Sequence, residues 1–319
     1  MTQEVFTKDM LHRHLRKMWA ERGFPYDENE RIGVPVDELV AYSVKRNADR
    51  NLPFVDLWIA ILDECIGWFI SLNLVVYGEA RLGASTSDFE KAVTLIVNKI
   101  IADSTAMRHL ILLGFDSSAR TILRSVSEYM EVFVAILHNP DFASVFLKSD
   151  TPETAQEFWE KHLRGGKIRR KINAAWNDFF GDDHQELALW LTNWGRNSHA
   201  LLSGLAHPSA AGGLFASIPL KTEYSGESWL GIWGDKAEIS ANTISIYTHF
   251  TFPILLLSRN FPFENHGRKI YRIYDESNES HRHLKIGRGI LASIILSING
   301  EGSSRYVFPE LDLSIFPEN

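Results

Sequence analysis

The residues best placed to do chemistry lie in Glu186–Pro208, ELALWLTNWGRNSHALLSGLAHP. At helical spacing Thr192, Arg196, His199, Ser203 and His207 fall on a stripe about 80° wide. A His and a Ser four residues apart can share a hydrogen bond along a helix. Arg196 supplies a fixed positive charge, and His207 a group that titrates near neutrality. Together such groups can bind a phosphate and move a proton, the minimum needed to cleave RNA. The plainer reading of the same stripe makes Arg196 solvated and His199 a satisfied core histidine. Ser203 and Gly204 then serve close packing, and His207-Pro208 marks the helix end, where an imidazolium suits the helix dipole.

A second set is Arg120, Arg124 and Glu128, a ridge on the far side of an amphipathic helix over 116–137. Arg124 and Glu128 are four apart, an ion pair worth a few tenths of a kcal/mol on an exposed face. The ridge either is solvated or faces the histidine stripe. In the second case two arginines, a carboxylate and two histidines meet between helices. That assigns Arg196, His199, Ser203 and His207 to catalysis and Arg120, Arg124 and Glu128 to substrate binding.

Other candidates carry less. Lys161–Lys171 holds six basic residues and no acid, a run that either tracks phosphates or forms a solvated face. His281-Arg282-His283 and His12-Arg13-His14 place their imidazoles in different directions on a helix, so no metal site is expected. Gly165-Gly166-Lys167 lacks the earlier glycine of a phosphate-binding loop, and no dinucleotide fingerprint is present, so no cofactor is expected. Cys65 is the only cysteine. It excludes an internal disulfide and a cysteine-based zinc site, and it suits a reducing, cytoplasmic setting.

The elements that must position these residues are helical. Pro53 opens a long apolar helix to about Arg81; Asp56, Asp63 and Glu64 inside it argue for a core helix rather than a membrane span. Ser-Thr-Ser-Asp at 85–88 caps a helix over 88–113, and Gly114 stops it. Asp116 or Ser117 caps the next, which Asn139-Pro140 ends. Further helices are expected at 8–22, 37–47, 141–148, 152–162, 167–180, 237–259 and 278–298. Residues 209–236 hold five glycines and the short alternations LFASIPL and SWLGIW, read as a small two-stranded hairpin or flap. The expectation is an all-α multi-helix bundle with a β-hairpin or flap after Pro208. It divides into an N-terminal extension (1–50), a bundle core (51–299) and a C-terminal tail (300–319).

The hydrophobic fraction of 45% and charged fraction of 23% are those of a folded protein. A net charge of −7 argues against a broad nucleic-acid coat while leaving room for a local basic patch.

The run Leu112–Glu128, with Ala119, Arg124 and Glu128 after a Gly turn, resembles a bacterial family of uncharacterised helical proteins patterned Ala-x4-Arg-x3-Glu. Leu202-Ser203-Gly204-Leu205-Ala206-His207-Pro208 is similar to that family's second signature, Ser-x3-His-Pro. The resemblance covers roughly residues 90–260. It implies a bundle distantly similar to the HEPN superfamily, which includes RNA-cleaving toxins and phage-defence effectors, with RNA or a nucleotide as partner. That superfamily's signature places four to six residues between Arg and His on one helix. Here two separate Arg196 from His199 and ten separate it from His207. The alternative is a non-catalytic interaction or scaffold protein with a buried polar network, as a homo-oligomer or on a protein partner.

Overall fold

The computed structural model describes residues 8–21, 23, 41, 44–45, 52–82, 87–180, 185–206, 239–258 and 279–299. The principal helices are α1 (Lys8–Ala20), α2 (Pro53–Leu82), α3 (Asp88–Leu112), α4 (Asp116–His138), α5 (Phe142–Leu147), α6 (Pro152–Phe158), α7 (Arg169–Phe180), α8 (Gln185–Ala206), α9 (Ile239–Leu257) and α10 (Glu279–Asn299).

The fold is an all-helical bundle, and no strand occurs among the described residues. The expected mixture of bundle and hairpin is corrected to helix alone. The segment assigned to the hairpin, 209–236, lies outside the described residues. Among the described residues the apolar faces close helix against helix, and no strand is present for another to pair with. The helix expected at 37–47 lies mostly outside the described residues as well.

Four helices close a ring: α2 packs on α3, α3 on α4, α4 on α9, and α9 back on α2. Their inward faces carry Leu62, Phe69, Ile96, Ile100, Leu123, Met130, Ile244 and Ile254, all fully buried. Side chains of this size each contribute about 1.5–3 kcal/mol on burial. Inside the ring the Ser104 hydroxyl donates to the Tyr247 hydroxyl at 3.1 Å, so α3 and α9 meet through a satisfied polar contact. α10 docks on α2 and α9, with the Trp68 indole donating to the Leu284 carbonyl at 3.1 Å. Arg108 clamps Asp63 with two hydrogen bonds, joining α3 to α2.

The window Pro53–Tyr77 of α2 is long and apolar enough to cross a bilayer by length and composition, and half of it is buried within the fold. Its buried half packs in the ring, as a core helix does.

On the opposite side α7 and α8 pack on α4. α4 therefore has neighbours on several sides, and Met130–Leu137 are buried all round. Its start is not capped as expected. Phe115 is the N-cap residue, without a side-chain hydrogen bond, and Asp116 is the first helical residue. The carboxylate of Asp116 is drawn instead to Arg120 and to Thr243 of α9.

Candidate functional site

α4, α8 and α9 converge, and the polar residues of α4 lie at their junction. At 100° per residue Asp116, Arg120, Arg124, Glu128 and Glu131 share an arc of about 120°. A helix with one dry face would leave this arc in water. Here α8 and α9 cover it, and each group finds a partner.

Arg120 is deepest, 3% exposed. Its Nε donates to Asp116 Oδ2 at 2.9 Å and to Thr243 Oγ1 at 2.8 Å, and its terminal nitrogen reaches Asn242 Oδ1 at 3.3 Å. Thr243 donates in turn to Asp116 Oδ1 at 2.7 Å. Burial pushes the Asp116 carboxyl up, and the charge of Arg120 and the Thr243 hydroxyl pull it back only in part. Arg120 is thereby committed to tying α4 to α9.

One turn on, Arg124 meets His199 of α8 through its guanidinium and the imidazole Nδ1. A guanidinium only donates, so Nδ1 is the acceptor and the ring proton belongs on Nε2. That nitrogen stands 2.6 Å from Glu131 Oε1, with the His199 and Glu131 side chains 4% and 9% exposed. Nε2 satisfies no hydrogen-bond geometry despite this approach. The contact is close but bent, and acts as an electrostatic one. Phe250 closes over the imidazole edge-on, ring centroids 4.9 Å apart.

The second terminal nitrogen of Arg124 pairs with Glu128 at 2.8 Å. These side chains are 29% and 25% exposed, the part of the cluster that solvent reaches. Burial raises the Glu128 pKa above its ordinary value, and the neighbouring Glu131 adds to this. Arg124 and His199 pull it down without cancelling the rise.

The other candidates on α8 stand apart. Arg196 is exposed and donates to Asn193 Oδ1 of its own helix at 2.6 Å. Ser203 is half-buried and takes no part in the His199 contacts, whose ring nitrogens face Arg124 and Glu131 instead. Thr192 donates to Asn173 of α7 at 3.2 Å. His207 lies outside the described residues. The structure thus joins Arg124, Glu128 and His199, sets Arg120 one layer deeper, and separates Arg196.

Glu131 does not stand out in the sequence because it follows Met130 at the start of the buried run. Its position seven residues after Arg124 was the available signal, since that spacing returns to the same face. A second, part-buried polar contact links α8 to α9. His249 Nδ1 lies 2.7 Å from Ser198 Oγ, and its ring lies 3.6 Å, centroid to centroid, from Trp194.

Cys65 is fully buried, and burial with the nearby Glu64 pushes its thiol up to about 12, far from a reactive thiolate. Among the described residues no three His, Cys, Asp or Glu side chains gather to hold a metal ion.

No protein-family model, no curated protein and no solved structure matches this chain.

Proposed function

We propose that this protein is a HEPN-like helical effector that acts on RNA or a nucleotide without a metal, in the cytoplasm, in phage defence or a stress response. The observation that carries the reading is the cluster of Arg124, Glu128, His199 and Glu131. It combines a half-exposed cation, an imidazole whose lone pair faces that cation, and a carboxylate with a raised pKa.

An incoming phosphate competes with Glu128 and His199 for the Arg124 guanidinium, which matches phosphate with two parallel hydrogen bonds. As Arg124 turns to the phosphate, His199 Nδ1 becomes free to accept a proton. Glu131 beside Nε2 stabilises the imidazolium that forms, as a buried carboxylate does behind a catalytic histidine. Glu128, protonated more readily than an ordinary carboxyl, is the second group able to return a proton. The arginine in this scheme comes from α4, which relieves the unsuitable Arg196–His199 spacing within α8.

The test is expression of wild type, Arg124→Gln and His199→Asn, with sequencing of cellular RNA cleavage ends. Losing the proton-transfer group is expected to lower cleavage by about 10²–10⁴-fold. Equal cleavage by all three proteins would sink the proposal.

A second reading is a non-catalytic interaction protein whose polar groups hold helices in register. The burial of Asp116, Arg120 and His199 favours it. Under that reading both variants lower the melting temperature, and the wild-type protein generates no RNA ends.

A further inference from the structure

The run Lys161–Lys171 holds six basic residues and no acid in a chain of net charge −7. It does not fold as one face of a continuous helix. After α6 the chain makes a π-helical turn, Trp159–Leu163, then a 3-10 turn, Arg164–Gly166, before α7 begins. Gly165 and Gly166 sit at φ 67° and 72°, in the left-handed region that glycine enters without strain. Single π-helical turns inside helices occur frequently at functional sites.

Lys161, Arg164, Lys167 and Arg170 are exposed, and none pairs with a carboxylate among the described residues. The nearest acid in sequence, Glu160, accepts from the Gln156 amide at 2.9 Å. Lys167 donates to the Glu160 main-chain carbonyl at 2.7 Å, bracing the turn. His162 reports the local field. Burial first, then the charges of Lys161, Lys171 and Lys167, hold its pKa below the ordinary value, so three ammonium groups act on one imidazole. Trp159 is 37% exposed, and the Arg164 guanidinium lies 5.9 Å from its ring centroid. A cationic surface without a carboxylate partner among the described residues opposes folding through self-repulsion, and an aromatic ring beside it invites a base.

We infer that the turn Trp159–Lys171 is a binding surface for single-stranded nucleic acid. Phosphates lie along Lys161, Arg164, Lys167 and Arg170, and a base stacks on Trp159. α7, which begins within this run, packs on both α4 and α8, the helices that carry Arg124 and His199. The inference rests on the proposed action on RNA and names the surface that presents the strand.

The test is fluorescence anisotropy of the full chain with labelled single-stranded RNA and DNA oligonucleotides, from roughly 50 to 200 mM salt. Removing three phosphate contacts in Lys161→Ala/Arg164→Ala/Arg170→Ala is expected to weaken binding about tenfold or more and to flatten its salt dependence. Trp159→Ala is expected to weaken binding with the salt slope unchanged, the mark of lost stacking. Lys17→Ala/Lys45→Ala/Lys91→Ala removes equal charge elsewhere and is expected to bind as wild type does. The inference is overturned if the two triple variants bind alike, or if the wild type binds phosphatidylserine vesicles and no oligonucleotide. His199→Asn keeps the two ideas apart, since it should bind normally and fail to cleave. Binding by the wild type with no cleavage by any variant rejects the proposed activity and leaves this surface standing.

Discussion

Arg120 and Arg124 are one helical turn apart and do different work. Arg120, itself buried, is held by Asp116, Thr243 and Asn242, whereas Arg124 divides its guanidinium between Glu128 and His199 where solvent reaches it. The difference is depth, which helical spacing does not report. Breaking a buried ion pair strands the remaining charge, so Arg120→Met is expected to cost about 3–5 kcal/mol in urea unfolding. The double variant Asp116→Leu/Arg120→Met removes both charges and is expected to recover part of that loss. A single variant as stable as wild type would show that the pair is not structural.

At the scale of the element, helix ends separate what local sequence controls from what it does not. The Ser87 hydroxyl accepts from the Glu90 main-chain N–H at 3.2 Å, and the Glu90 carboxylate accepts from the Ser87 N–H at 2.6 Å, a closed capping box. Both partners lie within 87–90, so the N-cap cluster at 85–88 is legible locally, while the closing Glu90 comes from the structure. Ser87→Ala is expected to cost about 1 kcal/mol by thermal denaturation, with Glu90 left to satisfy only one end. No change in melting temperature would mean that this end of α3 is held by packing alone. Asp116 looked equally suited to capping, yet its carboxylate bonds to a threonine 127 residues away. A distant partner outcompeted the local one.

For the whole molecule, pH dependence follows from carboxyls that burial raises. Asp116 and Glu128 both bind a proton more readily in the fold than in the unfolded chain. Each therefore makes folding less favourable as pH climbs from its ordinary value, near 3.8 for Asp116 and 4.5 for Glu128, to its raised one. Below that window the native carboxyl is neutral and the penalty is absent. Glu128→Gln removes one of the two groups. Its melting temperature relative to wild type is expected to be least favourable in acid and to rise as pH passes upward from 4.5. A relative stability that falls over the same range would mean that Arg124 outweighs burial at this site.

The sequence by itself determined the helices, because amphipathic period, proline starts, glycine stops and the N-cap cluster are local signals. It also set Arg124 and Glu128 on one face and named His199. What only the tertiary structure decided is which faces meet. The polar arc of α4 is buried because α8 and α9 cover it, and neighbours on several sides cannot be read from one helix's period. That same packing substitutes Arg124 for Arg196 as the partner of His199 and supplies Glu131 behind the imidazole. Side chains 75 residues apart are joined there, and only the crossing of two helices sets that distance.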